Sequence, residues 1–478
     1  MNSIGHCFQQ GLLASLLSLA AVATAGAAPL VSTAADQQSV SLTIYNANLG
    51  LVKDLRQVKI PQGASELRFM DVAAQIVPAS VRIGSTSAAA GFRVLEQNYE
   101  YDLLSPQKLM DKFVGKEVRL YEKNPYSERE EQVSAILLAN NGAPIFKIGN
   151  DITFGHPGRV LFPGVPDDLI ANPTLVWLLE NRADGRQELE ASYLTNGITW
   201  RADYVLTLDR DGRKADLAGW VTIDNKSGAT YRNARLKLVA GTVNRVSDDM
   251  ARGRLYKMAM AEAAAAPQFK EEGFFEYHLY TLQRPSTVKD NQTKQISLLS
   301  ADGIPVRREL VVSGEPAYAG GRQGGEAGVR QKVGVYLEIE NRQEHRLGMP
   351  LPKGTVRVYQ RDADGSLQFA GEDAIDHTPR DEKIRLRLGD AFDVTATRRQ
   401  TSWKKLASDT YEAGWEIVVR NHKQEEVAVR VEETLTGDWQ VLESAPVYRK
   451  RDAGTIDFLL TVPKDGEARV AYLVKSRY

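Results

Sequence analysis

Apolar and polar residues alternate through most of this chain, and one recurring signal ends the runs. In WEIVVRNHKQEEVAVRVEE, residues 415–433, Trp415, Ile417 and Val419 share one parity, with Glu416 and Arg420 on the other. After Asn421-His422-Lys423 the pattern resumes, and Val427, Val429 and Val431 alternate with Ala428, Arg430 and Glu432. Successive strand side chains face opposite ways, so the stretch predicts a strand pair with one buried face. The same phrase occurs at Leu178–Arg182, Thr222–Lys226 and Glu338–Arg342. In all four copies the residues two and four before the Asn are apolar. Asn bonds its own backbone and tolerates the left-handed conformation, so each copy is expected to be a turn with a solvated basic residue after it. The copies are irregularly spaced. They read as a recurring device of layered antiparallel sheets and not as a solenoid.

Other turn signals agree. Asn196-Gly197, Asp209–Gly212, Asp362–Gly365 and Lys464–Gly466 are expected hairpin tips. After the first of them, Trp200, Ala202, Tyr204, Leu206 and Leu208 share a parity, so Trp200 and Tyr204 are expected in a core. Helix is scarce. Ser105 can cap a helix with Pro106 at its first position, and Gly115 can end it. Leu109, Met110, Phe113 and Val114 would be its apolar stripe. The segments 247–272 and 319–328 are expected to be loose surface excursions.

The fold class expected is therefore mainly β: multi-domain antiparallel β-sandwiches, a small mixed α/β barrel-like insert and little helix. The expected parts are an N-terminal β domain at 36–98 and a small barrel-like domain with one short helix at 99–168. A β-sandwich at 169–330, with a mobile excursion at 247–272, and a C-terminal β-sandwich at 331–478 complete it. The chain is 43% hydrophobic and 25% charged, enough apolar material for large cores. Its formal net charge of -1 argues against a nucleic-acid partner, which calls for a basic face.

The first 35 residues hold no Lys, Arg, Asp or Glu. Leu12–Val22 is an apolar run of the length of a signal-peptide core, and Ala23-Thr24-Ala25 and Ala25-Gly26-Ala27 offer small-residue cleavage sites. Residues 1–27 are read as a cleaved export signal, with the mature protein periplasmic or extracellular. Cys7, the one cysteine, falls inside it, so disulfides and thiolate sites are not expected in the mature chain. No segment of the mature chain is expected to span a membrane as a helix.

Four long phrases resemble a known family: YLTNGITWRADYVL (193–206), GWVTIDNKSGATYRNARLKLVAG (219–241), LGMPLPKGTVRVYQRDADGSLQFAGE (347–372) and YEAGWEIVVRNHKQEEVAVRVEE (411–433). They are similar to the bacterial domain-of-unknown-function 4139 family, a group of exported β-sandwich proteins distantly related to mucoidy-inhibitor-like proteins. The resemblance covers most of residues 36–478. The mucoidy-inhibitor-like relatives carry a long coiled coil after the N-terminal β domain, where this chain has only the short helix after Ser105. The resemblance implies no catalytic residues.

Candidate chemistry is sparse. Glu372, Asp373, Asp376, His377 and Arg380 form the densest polar cluster. Carboxylates and an imidazole can bind a metal or share acid–base work, but Thr378-Pro379 bends the chain, and a charged loop is the preferred reading. Asp362-Ala363-Asp364-Gly365 resembles the start of a calcium loop, but Ser366 and Asp373 stand at its fifth and twelfth positions, which favours a plain turn. His156 sits between glycines with no Gly-x-Ser-x-Gly elbow to serve it, which again favours a turn. Arg398-Arg399 and Lys404-Lys405 flank Trp403. Basic residues around an aromatic can bind anionic polymers or sugars, and a charge-guarded strand edge is the plainer reading. Tyr472, Val474, Ser476 and Tyr478 end the chain on one parity, a weak sign of an outer-membrane barrel. The function expected is an exported, non-catalytic binding or scaffolding protein of the cell envelope. No cofactor is expected, and the partner would be an envelope protein or polysaccharide. The alternative is an envelope hydrolase or polysaccharide-processing enzyme using residues 372–382.

Overall fold

The computed structural model describes residues 29–123, 130–155, 158–166, 169–241, 243–244, 268–314 and 328–478. Residues 1–27, where an export signal is expected, His156 and residues 247–267 and 319–327 of the two excursions lie outside the described residues. The described chain is mainly β, in six sheets, and none of the six closes into a barrel. Sheet one orders Leu30–Ser32, Gly63–Met70, Thr174–Asn181 and Phe92–Glu100. Sheet two runs Phe269–Phe274, Tyr277–Leu282, Tyr231–Ala240, Gln37–Tyr45, Leu49–Ile60, Gly185–Thr195 and Arg82–Ser85, and Ser286–Val288 also pairs with Tyr231–Ala240. Sheet three runs Gln292–Pro305, Lys214–Asn225, Ile198–Leu208, Gly354–Arg361 and Leu367–Ile375. Sheet four runs Lys383–Asp390, Val333–Glu340, Arg307–Ser313, Val427–Thr434, Thr455–Val462 and Arg449–Lys450. Sheet five runs Val329–Gln331, Val394–Lys405, Thr410–Asn421, Gly466–Arg477 and Asp438–Ala445.

The sixth sheet is the insert, ordered Asp151–Phe154, Ile145–Ile148, Glu130–Ala139, Glu117–Lys123 and Arg159–Leu161. It has its own small core of Phe113, Val118, Leu120, Ala135, Leu137 and Phe146. The helix Pro106–Lys112 covers it, and the Ser105 hydroxyl accepts the Lys108 N–H at 3.2 Å as an N-cap. Phe113 is buried as expected, but Val114 is 41% exposed and lies off the stripe.

Sheets one to three share one large core, which also takes Leu337, Ile339, Ile384 and Leu386 from sheet four. Sheets four and five enclose a second core around Trp415, Phe458 and Tyr472. Trp200 and Tyr204 lie deep in the first, 2% and 0% exposed. The Trp200 indole N–H donates to the Val239 carbonyl at 3.1 Å. Pairing runs across the sequence positions 98 and 330. Thr174–Asn181 sits between Gly63–Met70 and Phe92–Glu100, and Gly354–Arg361 runs parallel to Ile198–Leu208. Alternation says which face of a strand is buried, not which edge will accept it, and long returns supply the partner. The last residues of the 247–272 excursion belong to Phe269–Phe274, and Phe269 is fully buried.

The four Asn motifs are not strand-pair turns. Each stands where the chain leaves one sheet for another. Asn181 ends a strand of sheet one and the next strand is in sheet two; Asn225 leads from three to two, Asn341 from four to three, and Asn421 from five to four. All four are at most 1% exposed, and the basic residue after each is exposed. None has the positive φ that the turn reading allowed. The amide group explains them instead. Asn421 Nδ2 donates to the carbonyls of Glu425 at 2.7 Å, Pro463 at 3.0 Å and Val462 at 3.3 Å. Its Oδ1 accepts the Lys423 N–H at 3.0 Å. Asn181 Nδ2 donates to Ala183 and, at 3.1 Å, to Pro61. Asn225 Nδ2 reaches Ala229 at 2.9 Å and Lys289 at 3.0 Å, and Asn341 Nδ2 reaches Met349 and Pro379, both at 2.9 Å.

Pro61, Lys289, Pro379 and Pro463 all lie where the chain makes the opposite crossing between the same two layers. Ladder bonds run out at such corners, and a buried carbonyl left there without a donor is costly. One Asn amide therefore ties two opposed corners together. The expected hairpins divide likewise. Asp209–Gly212 and Asp362–Gly365 join paired strands, whereas Asn196-Gly197 and Lys464–Gly466 are corners between sheets.

Candidate functional site

The densest charged stretch does not assemble into a site. Glu372 pairs with Arg357 on the neighbouring strand at 3.2 Å. Asp373 accepts the backbone N–H groups of Ala374 at 2.8 Å and Arg387 at 2.7 Å, the latter in sheet four. The Asp376 side chain is 97% exposed, and among the described residues Arg380 approaches only Asp381, at 3.6 Å. Among the described residues no three His, Cys, Asp or Glu groups gather as a metal site. Asp362 and Asp364 accept the N–H groups of Asp364 and Ser366 inside their own turn, and the second oxygen of Asp362 accepts the Gln368 amide at 2.8 Å.

His377 has a structural partner. Its Nδ1 accepts the Lys353 N–H at 3.1 Å, which puts the ring proton on Nε2. Partial burial pushes its pKa down, with Lys353 and His278 adding to the effect and Asp376 opposing it. The contact closes the segment Leu347–Lys353, whose carbonyls are captured one after another. Met349 O accepts from Asn341, Pro350 O from the Tyr280 hydroxyl, Leu351 O from the Thr378 N–H and Pro352 O from the Tyr204 hydroxyl, all at 2.8–2.9 Å. Gly348, at φ +90°, sits so close to Gln343 that a Cβ would lie 2.7 Å from its nitrogen. The phrase LGMPLPK is thus a fixed strap across the first core. A cavity of about 190 Å³ between sheets three and four, lined by Leu208, Leu337, Leu388 and Asp390, is smaller than most ligand sites.

The remaining sequence candidate, the basic residues around Trp403, is split by the sheet. Arg398 is 6% exposed and turns into the second core. There its Nη2 meets Glu433 Oε2 at 2.7 Å, and the Tyr472 hydroxyl donates to the same carboxylate oxygen at 2.6 Å. Burial and the adjacent carboxylate push the Tyr472 pKa well up. The Arg398 guanidinium lies 3.6 Å from the centre of the Trp415 ring. Arg399, on the opposite parity, pairs with Glu416 at 2.8 Å.

Beyond that buried pair, the inner face of sheet five runs on to the margin of the second core, where Ala413, Val441 and Trp439 pack against it. Directly opposed residues of an antiparallel pair share a face. The register sets Lys405 opposite Tyr411, Tyr411 opposite Ser476, and Ser476 opposite Trp439. One row thus crosses four strands with two aromatic rings flanking a small hydroxyl. The next row holds Trp403, Ala413, Val474 and Val441. Trp403 stacks on Tyr411 at 5.8 Å between centroids, and Tyr478 meets Tyr411 edge-on at 6.2 Å. Lys405 Nζ lies 5.7 Å from the Tyr411 ring centre and Lys450 Nζ 4.7 Å from that of Trp439. The Trp439 indole N–H is used by Ala453 O at 2.8 Å, whereas the enclosed N–H of Trp403 has no hydrogen-bond partner among the described residues. Sequence reading found Trp403 and its lysines but missed Tyr411, Trp439 and Lys450, which only the cross-strand register brings beside them.

Residues 189–438 match the model of the family described as a domain of unknown function, DUF4139. The chain belongs to that family. The DUF4139 match takes in the corners at Asn225, Asn341 and Asn421, the strap and the Arg398–Glu433 pair. It also takes in Lys405 and Tyr411, while Trp439, Lys450 and Ser476 follow its end. No curated protein matches the chain. Among the described residues no helix is long and apolar enough to cross a membrane.

Proposed function

We propose that this DUF4139 protein is an exported, non-catalytic binding or scaffolding component of the cell envelope, periplasmic or extracellular, that holds an envelope polysaccharide or protein at the open end of sheet five. The observation that carries the reading is the row Lys405–Tyr411–Ser476–Trp439, where half-buried aromatic side chains stand at the margin of the second core, Trp439 packed against it and Tyr411 outside it. Large amphipathic rings with few rotatable bonds are favoured contact residues because little entropy is lost when they are covered. Export is supported by the uncharged, apolar start of the sequence. The hydrolase alternative gains no support from residues 372–382, whose carboxylates face separate partners.

Cross-linking in intact cells tests the reading. The wild-type chain should capture an envelope component, and a Tyr411→Ala/Trp439→Ala chain that still melts cooperatively should not. Equal capture by both would remove the binding role from this face. Mass spectrometry of the purified protein should find an amino terminus between Gly26 and Pro29. An intact Met1 in envelope fractions would end the export reading.

A further inference from the structure

We infer that the aromatic row of sheet five takes an anionic glycan, a polymer bearing carboxylates on its sugar rings. This rests on the binding reading above and adds the ligand class. Three features point the same way. The first is the spacing of the rings. Tyr411 and Trp439 stand two strands apart with Ser476 between them, and neighbouring strands lie about 4.8 Å apart. That separates the two backbones by about 10 Å and leaves a short polar side chain on the floor between two aromatic walls. A sugar ring offers C–H faces, and the negative face of an aromatic ring attracts such weakly positive edges. The Ser476 hydroxyl can donate to or accept from a sugar hydroxyl.

The second feature is charge. The exposed Lys405 and Lys450 stand beside the two rings, one at each end of the row. The row and its neighbour, Trp403–Ala413–Val474–Val441, contain no carboxylate. Three arginines of the same sheet, by contrast, are matched by acids: Arg399 by Glu416, Arg420 by Glu467, Arg477 by Asp409. Lysine is a compact point charge that suits a carboxylate approaching from solvent. The third feature is the Trp403 N–H, enclosed beside Tyr411 without an acceptor among the described residues. A buried donor left unpaired is unfavourable, and a ligand oxygen is one way to satisfy it.

Affinity electrophoresis of the full chain tests this, with polygalacturonate, dextran or oligothymidylate cast in the gel. The expected result is retardation by polygalacturonate alone, weakening as salt is raised because the lysine contacts are screened. Lys405→Gln/Lys450→Gln should weaken it about tenfold with the melting temperature unchanged, since both side chains are exposed. Equal retardation by dextran, or an unaffected double variant, would overturn the anionic selection. Equal retardation by oligothymidylate would overturn the glycan, and no retardation in any gel would overturn the inference altogether. The binding reading fails separately, by undiminished cross-linking of the Tyr411→Ala/Trp439→Ala chain. Lost cross-linking together with no retardation would leave that reading standing and remove only the glycan.

Discussion

Replacing Asn421 by alanine removes three donated bonds and one accepted bond at a site 1% exposed. Carbonyls left buried and unpaired make such a change expensive, so Asn421→Ala should cost about 2–4 kcal/mol in urea denaturation. The neighbouring His422 is exposed, and His422→Ala should stay within about 0.5 kcal/mol of wild type. Equal effects at the two positions would reject the corner role. The Arg398–Glu433 pair invites a second measurement. Both side chains are almost wholly buried, at 5% and 0% exposure. Glu433→Gln should cost roughly 3–5 kcal/mol, because it leaves the guanidinium charged and unpaired. Replacing both residues by methionine should recover much of that loss, since a buried ion pair is worth little against apolar packing. The Asn–basic phrase was legible as architecture because alternation stops there. Its burial was not legible, since it depends on a second corner far away in sequence.

The strap Leu347–Lys353 is held by groups from four separate stretches of chain. Tyr204→Phe removes one donor while keeping the ring in the core, and should cost about 1–3 kcal/mol by leaving the Pro352 carbonyl unpaired. Denaturant midpoints measured with unchanged slope would show it. His377 gives the same element a pH dependence. Its folded pKa lies below the usual 6.5. A depressed histidine binds its proton less readily when folded, so its contribution to stability is complete above pH 6.5 and declines as pH falls through the folded value. His377→Gln should flatten the acid side of a melting-temperature profile while leaving the neutral side near wild type. A profile unchanged by the substitution would place the titration elsewhere. The helix after Ser105 was legible from its cap, its proline and its closing glycine. Val114 fell outside the stripe because the chain had already left the helix at Phe113, and helical spacing no longer applied.

At the scale of the whole molecule, sheets are completed by distant strands. Gly354–Arg361 runs parallel to Ile198–Leu208, and Arg307–Ser313 parallel to Val427–Thr434. A chain truncated after residue 330 would lose Leu337, Ile339, Val356, Val358 and Leu386 from the first core and expose the edge of Ile198–Leu208. It should show no cooperative thermal transition by circular dichroism, whereas the full chain should. A native-like transition in the fragment would show that the first core closes without its last strands.

What the sequence determined by itself was local. Period two marked the strands and their buried faces, as at Trp200 and Tyr204, because a strand's side-chain directions follow from its own backbone. Asp209–Gly212 and Asp362–Gly365 announced real hairpins because a tight turn needs only its own residues. Tertiary structure decided the rest. It made Asn196-Gly197 a corner and not a hairpin, since the same turn chemistry serves either exit. It turned Arg398 inward to Glu433 and Tyr472 while leaving Lys405 exposed at the end of the same face. It also gathered Lys405, Tyr411, Ser476, Trp439 and Lys450, from four strands of one sheet and the edge of the facing one, at one end of a sandwich. Register across strands, and the packing of sheet on sheet, depend on every segment at once, and no window of sequence contains them.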